Sequence, residues 1–175
     1  KPAPLPVATD EEVSRFLDLV KKAKRPVFHV GSGIKGNADL LMKLSEKLQI
    51  PVTITGLAKG LVPDDFPANL GTLNRAASKA ADEVFASADL VIALGADFPF
   101  ANLVYRTHPF TFVQIDAERA QFGRHHFLDM GIWSDSGAFL QKALDMSTPA
   151  EPSGFYQAAV EDMKGWKEYL TGLMN

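Results

Sequence analysis

The sequence predicts a doubly wound α/β domain built on a six-stranded parallel sheet, and three observations support this class. Short apolar runs alternate with segments whose apolar residues recur at helical spacing. The runs are continuously apolar, which is typical of strands buried on both faces of a parallel sheet. The chain has 175 residues, 46% of them hydrophobic, which is enough for one packed domain. Right-handed crossovers through the helices would then place helices on both faces of the sheet.

The elements follow one another along the chain in an alternating order. The first helix opens on Asp10-Glu11-Glu12, whose charges suit the positive end of a helix dipole, and it ends before Pro26. Apolar spacing predicts further helices at 37–49, 78–86, 136–146 and 154–173. Strands are predicted at 26–30, 51–55, 89–95 and 110–115, with a further short strand at 130–133. The long segment 57–77 shows no clear period.

Composition excludes several classes of function. Lys and Arg total 18 against 21 Asp and Glu, and a net charge of -3 does not favour a nucleic-acid partner or an anionic membrane surface. The absence of cysteine excludes disulfides, thiolate zinc sites, iron–sulfur clusters and cysteine nucleophiles. No apolar run approaches the roughly 20 residues of a membrane span, so none is expected.

The turn after the first strand carries the strongest motif. Gly31-Ser32-Gly33-Ile34-Lys35-Gly36 matches the glycine pattern of Rossmann-like dinucleotide-binding domains, between a predicted strand and a predicted helix. Glycines let the backbone approach a pyrophosphate, and the helix that follows offers unpaired N–H groups. The pattern predicts phosphate binding here, and a tight turn without a ligand is the alternative.

Acidic residues indicate which nucleotide would bind. The second strand ends Thr53-Ile54-Thr55-Gly56, without the carboxylate that holds the ribose of NAD, so NAD in its usual pose is disfavoured. Asp116 ends a later strand, and Asp135 follows the last one; each could hold adenosine, or serve as a turn or helix-capping residue. If both contact a ligand, the nucleotide is long and extended, such as FAD.

Two loops add candidate contacts. Arg75 lies in the loop Leu70–Ala76 just before a helix, where it could pair with an anionic ligand or remain a solvated charge. Phe98 and Phe100 flank a proline after the fourth strand, where they could wall a planar ring or belong to the local core. His125 and His126 are adjacent, so their side chains diverge, and no metal ligand is predicted.

Together these residues resemble the central domain of the thiamine-diphosphate-dependent enzymes that include acetolactate synthase and pyruvate oxidase. The resemblance covers nearly the whole chain. The segments that carry it are Lys59-Gly60-Leu61-Val62-Pro63, Phe66-Pro67, Leu70-Gly71, Ile115-Asp116 and Phe122-Gly123-Arg124-His125. The segments Leu73–Lys79 and Phe98–Ala101 favour the phosphate-dependent, peroxide-forming pyruvate oxidase type, although the second also resembles quinone-reducing relatives.

The resemblance implies an FAD site of extended shape. Gly31, Ser32 and Gly33 would approach the diphosphate, Asn74 and Arg75 would lie beside the flavin half, and Asp97 and Phe98 would lie near it. Asp116, Ala117, Ser134 and Asp135 would surround the adenosine. The complete set of predicted cofactor-binding residues is Gly31, Ser32, Gly33, Lys59, Gly71, Asn74, Arg75, Gly95, Asp97, Phe98, Asp116, Ala117, Ser134 and Asp135.

The resemblance also implies a division of labour between domains. The family holds thiamine diphosphate and Mg²⁺ through a Gly-Asp-Gly motif, which this sequence lacks, so no catalytic residue is predicted here. In a complete pyruvate oxidase, pyruvate, phosphate and oxygen give acetyl phosphate, carbon dioxide and hydrogen peroxide, and the flavin accepts electrons from the thiamine adduct. The family implies a cytoplasmic homotetramer.

Domain limits follow from composition. Residues 1–9 are proline-spaced and predicted as a linker, 10–147 as the FAD-binding domain, and 148–175 as a linker and a helix that connects to the next domain. The aromatic face of that helix could instead pack on its own sheet. Two other functions stay open: a structural middle domain without flavin, and an NAD(P)-dependent or sirtuin-like enzyme. The missing second-strand acid counts against the NAD(P)-dependent enzyme, and the absence of cysteine counts against the sirtuin-like enzyme.

Overall fold

The structure is a computed structural model that describes residues 4–73, 77–97, 105 and 108–173. Six strands form one sheet in the order β3-β2-β1-β4-β5-β6, and every neighbouring pair is parallel. The order reverses between β1 and β4, as in doubly wound dinucleotide-binding folds, which confirms the predicted fold class. The strands are β1 Pro26–Val30, β2 Val52–Ile54, β3 Asn69–Thr72, β4 Leu90–Leu94, β5 Thr111–Asp116 and β6 Met130–Trp133.

Helices cover both faces of the sheet. The described helices are α1 Asp10–Lys22, α2 Ala38–Leu48, α3 Lys79–Ser87, α4 Ser136–Met146 and α5 Gly154–Leu173. Apolar residues of α1, α2 and α4 join one core cluster, in which the rings of Phe16 and Phe139 meet edge to face at 5.1 Å. The helices α3 and α5 pack over the other face, around Phe85 and Met163. The sheet is therefore buried between two apolar layers, as its continuously apolar strands predict.

The start of α1 is better defined than the sequence analysis anticipates. Thr9 accepts a hydrogen bond from the Glu12 amide, and the Glu12 carboxylate accepts one from the Thr9 amide at 2.7 Å. This capping box satisfies two of the amides that a helix start leaves unpaired. It adds to the acidic first turn that the sequence analysis uses to place this helix.

Strand β3 lies inside the segment that shows no periodicity. It is only four residues long, and it forms one edge of the sheet. Its side chains do not identify it, because Asn69 uses its amide to bind the carbonyls of Val62 and Pro63, and Gly71 adopts a φ of +83°. Such a strand owes its place to pairing with β2 rather than to its own propensity.

His29 of β1 is buried on the face that carries α3. Its ring meets those of Phe85 and Tyr105 edge to face, with centroids 5.9 and 6.1 Å apart. Its Nδ1 lies 3.0 Å from the Thr53 hydroxyl oxygen, which in turn donates to the Phe28 carbonyl. Burial lowers the pKa of His29 to about 3, so the imidazole is neutral and belongs to the core.

Residues 6–8 and the helix α5 both pack on the rest of the domain. Residues 6–8 contact the end of β6, where the sequence analysis predicts only a linker. Helix α5 packs on α3 and β3 and buries Ala159 and Met163, whereas Tyr169 and Leu173 near its end are exposed. Among the described residues, no helix combines the length and the apolar character needed to cross a membrane.

Candidate nucleotide site at the carboxyl edge of the sheet

The predicted site lies where the parallel strands end, here called the carboxyl edge, and its centre is the reversal between β1 and β4. The Gly31 amide donates to the Leu94 carbonyl and the Gly33 amide donates to the Gly95 carbonyl, each at 3.0 Å. A short 3₁₀ turn, Ser32–Ile34, follows β1 and is held against the end of β4. The glycine motif therefore lies at the point where doubly wound folds bind ligands.

Glycine is required in this contact because two backbones touch. A Cβ on Gly31 would lie 2.2 Å from the Gly95 oxygen, and a Cβ on Gly33 would lie 2.6 Å from the Gly95 Cα. Gly95 has a φ of +53°, and a Cβ there would lie 2.9 Å from the Ser136 hydroxyl. The motif thus has a packing role of its own. Its Gly31 and Gly33 amides are used within the protein, so they do not point to a ligand.

Two helix N-termini meet beside this turn. Asn37 precedes α2 and donates to the Lys35 carbonyl at 3.3 Å instead of capping the helix with its side chain. Gly137, in the first turn of α4, lies so close to Asn37 that an added Cβ would be 2.5 Å from its Oδ1. Helix N-termini carry partial positive charge and unpaired amides. The centre of the carboxyl edge is therefore suited to an anionic group such as a diphosphate.

Asp116 is the last residue of β5 and is 9% exposed. Its Oδ1 accepts a hydrogen bond from the Glu118 amide at 2.8 Å. Burial raises the pKa of Asp116, the Glu118 amide opposes that rise, and the charges of Glu118 and Asp97 add to it. A carboxylate held at such a cost is a candidate for a binding role, for example accepting from a ribose hydroxyl.

Asp97 follows β4 and is held by the turn between β5 and β6. Its Oδ1 lies 2.9 Å from His125 Nε2, and its Oδ2 lies 3.6 Å from Arg124 Nη1. Asp97 is a predicted site residue, whereas Arg124 and His125 are not and enter only through the family resemblance. The three side chains are partly exposed, so this cluster is a solvated part of the edge.

Ser134 and Asp135 follow β6, but their side chains are engaged within the protein. The Ser134 hydroxyl is fully buried, accepts from the Ala8 amide at 3.1 Å and donates to the Asp135 carbonyl at 3.0 Å. Asp135 caps α4 by accepting from the Ala138 amide at 3.0 Å. The capping alternative for Asp135 is thus observed. A ligand contact through the Ser134 hydroxyl would require rearrangement.

Trp133 and Arg119 form a pair at this end of the edge that the sequence analysis misses. The indole of Trp133 donates to the Ala117 carbonyl at 2.8 Å, and the Arg119 guanidinium lies 4.0 Å from the centre of the indole ring. The pair fixes Ala117 beside Asp116. In the sequence the pair is marked only by a tryptophan at the end of the predicted strand 130–133.

Lys59, which follows β2, and Gly71, which belongs to β3, lie at the other end of the edge. They line a groove of about 600 Å³ whose opposite wall is α5, through Met163 and Trp166. They are separated from Asp116 by the strands in between, so only an extended ligand would reach both ends. The predictions for Asn74, Arg75, Phe98 and Phe100 concern residues outside the described ranges.

Two further observations limit the site. A hollow of about 330 Å³ lies at the opposite, amino edge of the sheet, lined by α1 and by residues 146–151, and none of the predicted residues line it. Within the described ranges, no three His, Asp or Glu side chains are grouped to hold a metal ion.

The chain is similar to known thiamine pyrophosphate enzymes. The family model described as "Thiamine pyrophosphate enzyme, central domain" matches residues 13–143. The chain is 34% identical over 171 residues to a pyruvate oxidase of Lactiplantibacillus plantarum, a match that covers 97% of this chain and 28% of that protein.

Other relatives have different names. The chain is 30% identical to the putative thiamine pyrophosphate-containing protein YdaP of Bacillus subtilis, over 89% of this chain and 27% of that protein. It is 27% identical to the acetolactate synthase isozyme 1 large subunit of Escherichia coli, over 93% of this chain and 29% of that protein. The chain therefore spans somewhat more than a quarter of the length of each of these three relatives.

Proposed function

The chain belongs to the thiamine pyrophosphate enzyme family, as its central domain, and on that premise we propose that it binds FAD in an enzyme of the pyruvate oxidase type. The observation that carries the proposal is the meeting of the α2 and α4 N-termini beside a glycine turn, with the buried Asp116 two strands away. Pyruvate oxidase also has the higher identity among the three relatives compared above.

The residues of the carboxyl edge fit the parts of FAD by their chemistry. The N-termini of α2 and α4 suit the diphosphate, because both present partial positive charge. The Asp116 carboxylate suits the ribose hydroxyls of adenosine, with Ala117 beside it. The groove beside Lys59 and Gly71 suits the flavin half, because it lies at the far end of the same edge. Neighbouring strands lie about 4.8 Å apart, so the ligand would span about four such spacings.

In this proposal the chain binds and orients, and does no covalent chemistry. FAD, when bound, supplies the acceptor of electrons from the substrate. Asp116 fixes the adenosine, and the hydrogen bond from the Gly33 amide to the Gly95 carbonyl keeps the glycine turn in register with β4. The two helix N-termini offset the charge of the diphosphate. Precise placement of the flavin therefore depends on how well the carboxyl edge holds these groups in position.

The remaining parts of the enzyme follow from the family. Thiamine diphosphate and Mg²⁺ would lie in other domains of the same protein, which would assemble as a homotetramer in the cytoplasm. Pyruvate, phosphate and oxygen would give acetyl phosphate, carbon dioxide and hydrogen peroxide. Residues 1–9 and 148–175 would connect 10–147 to the neighbouring domains.

A second function is favoured by a specific observation. The Gly31 and Gly33 amides and the Ser134 hydroxyl already have partners within the protein. A central domain without flavin, as a structural part of an acetolactate synthase or decarboxylase type of enzyme, would need no more than this. The two proposals differ in whether FAD binds.

Titration of the purified full chain with FAD tests the proposal. Binding is expected to change flavin fluorescence and to be lost in Asp116→Ala, while NAD in the same range does not compete. Asp129→Ala serves as a control, because that carboxylate accepts from the Phe112 amide at the start of β5, away from the carboxyl edge. If FAD does not bind to the wild type, the structural role is supported instead.

A further inference from the structure

The buried residue Ser134 forms hydrogen bonds to three segments of the chain: the end of β5, the N-terminal residues 6–8 and the start of α4. Its backbone amide donates to the Asp116 carbonyl at 3.1 Å, so it continues the pairing of β5 with β6 beyond the strand end. Its hydroxyl accepts from the Ala8 amide and donates to the Asp135 carbonyl. Ser134 thus contacts both predicted adenosine acids through their main chains and holds the N-terminal segment.

The N-terminal segment, residues 6–8, is tied to this point twice. The Asp135 amide donates to the Pro6 carbonyl at 2.8 Å, and Ala8 is almost fully buried. Beyond it, Lys142 of α4 pairs with Asp10 of α1 at 2.8 Å. Both bonds join residues more than 120 positions apart in the sequence, and the bond from the Ala8 amide to the Ser134 hydroxyl is buried. Such bonds are lost together, because releasing the segment leaves buried polar groups of both partners unpaired.

The position of Asp116 depends on the same junction. Its carbonyl is held by Ser134, and the next carbonyl, of Ala117, is held by the indole of Trp133. Both bonds come from consecutive residues at the end of β6. Movement of this end would therefore shift the carboxylate that the proposed function assigns to the ribose.

We infer that Ser134 is a positioning residue, which couples the N-terminal segment to the adenosine end of the cofactor site rather than contacting the ligand. The inference rests on the proposed function, because it concerns the adenosine end of an FAD site. The ligand class that would report it is an adenosine nucleotide, since only that half lies near Asp116. Binding of adenosine should order residues 6–8, and loosening of residues 6–8 should weaken its binding.

The test uses AMP as the probe for the adenosine half and FMN for the flavin half, on the full chain. In the wild type, AMP is expected to slow amide hydrogen exchange at residues 7–9, whereas FMN leaves it unchanged. In Ser134→Ala, AMP binding is expected to weaken about fivefold, the loss of about one hydrogen bond, with FMN binding unchanged. AMP should then no longer slow exchange at residues 7–9.

Ser45→Ala is the matched control, because Ser45 is also fully buried and its hydroxyl donates to the Ile50 carbonyl at 2.6 Å, in the connection from α2 to β2. It should lower stability without changing AMP binding or the exchange response. Ala8→Pro is a second variant, which deletes the donor to Ser134 without altering Ser134. It should reproduce the selective loss of AMP binding.

The outcomes separate the inference from the proposed function. If the wild type binds FAD and AMP but residues 7–9 exchange at the same rate, the inference is wrong and the proposed function stands. Equal loss of AMP and FMN binding in Ser134→Ala would also overturn it, as a general structural effect. If the wild type binds neither FAD nor AMP, both fall.

Discussion

Gly33 and Gly95 meet backbone to backbone, although they lie at the ends of different strands. The Gly33 amide donates to the Gly95 carbonyl at 3.0 Å. A Cβ on either residue would lie 2.6 to 2.7 Å from the Cα of the other. The contact lies at the carboxyl ends of β1 and β4, where the order of the strands reverses. A motif that favours phosphate binding in the sequence therefore also serves the packing of two strand ends.

Gly33→Ala is expected to lower the free energy of unfolding by about 2 kcal/mol, because the added Cβ must displace main-chain atoms of Gly95. Gly56→Ala is the matched control in the turn after β2, where an added Cβ meets nothing within 4 Å. It should change stability by no more than about 0.5 kcal/mol. Urea unfolding of both variants measures the difference, and equal effects would contradict the packing role.

Asp116→Asn is expected to raise the free energy of unfolding by about 0.5 kcal/mol at neutral pH. The amide removes a buried charge beside Asp97 and Glu118, and its oxygen can still accept from the Glu118 amide. The gain should shrink as pH falls, because the wild-type carboxylate then becomes neutral in the folded state first. The same variant should weaken FAD binding at least about tenfold.

Thermal unfolding and FAD titration of Asp116→Asn, side by side, measure these opposite effects. Asp129→Asn provides the comparison, because that carboxylate accepts from the Phe112 amide at the start of β5, away from the carboxyl edge. A loss of stability in Asp116→Asn would show that the carboxylate serves the fold rather than a ligand.

His29 predicts how stability depends on pH. Its pKa is about 3 in the folded protein against an ordinary value of 6.5, so between these values only the unfolded chain takes up the proton. The free energy of unfolding should therefore fall as pH decreases below about 6.5, by at most about 1.4 kcal/mol per pH unit from this group. Above that pH the contribution is constant.

His29→Asn removes this titration while keeping a polar atom near the Thr53 hydroxyl. The variant should be less stable than the wild type at pH about 8, because part of the ring volume is lost, but its stability should fall less steeply on acidification. Urea unfolding at several pH values gives the slopes. Parallel slopes in the two proteins would contradict the burial of a neutral imidazole.

The Asp97 cluster should matter little for stability. About half of the Asp97 and Arg124 side chains is exposed, and exposed ion pairs contribute about 0–1 kcal/mol. Asp97→Asn should therefore change the free energy of unfolding by less than about 1 kcal/mol, and the difference should shrink at high salt. A loss of more than about 2 kcal/mol would show that the cluster holds the turn after β5 in place.

Much of the fold could be predicted because its strongest elements carry local signals. The strand β4 is continuously apolar, β1 and β5 are mostly apolar, and α1 begins with acidic residues. Strand β3 has no such signal, since its four residues include Asn69 and Gly71 and its pairing with β2 decides its conformation. Hydrophobic periodicity arises where apolar side chains are buried at regular spacing. An edge strand with polar contacts shows little of this periodicity.

The site divides in the same way. That Asp116 ends a strand is visible in the sequence, and the structure places it as the last residue of β5. The contact of Ser134 with Ala8 is not visible, because it joins residues 126 positions apart and depends on the sheet being formed. The glycine turn is ambiguous for a physical reason: the same lack of side chains serves approach to a phosphate and approach to another backbone.

The N-terminal segment has a consequence for solubility. Strand β6 is the last in the sheet, and the free edge of a sheet tends to pair with other chains. Pro6 and Ala8 occupy the main-chain and hydroxyl groups just past its end. A shortened protein that begins at Thr9 would leave the Asp135 amide and the Ser134 hydroxyl without these partners, next to the free edge of β6. Such a protein should associate with itself more readily than the longer chain.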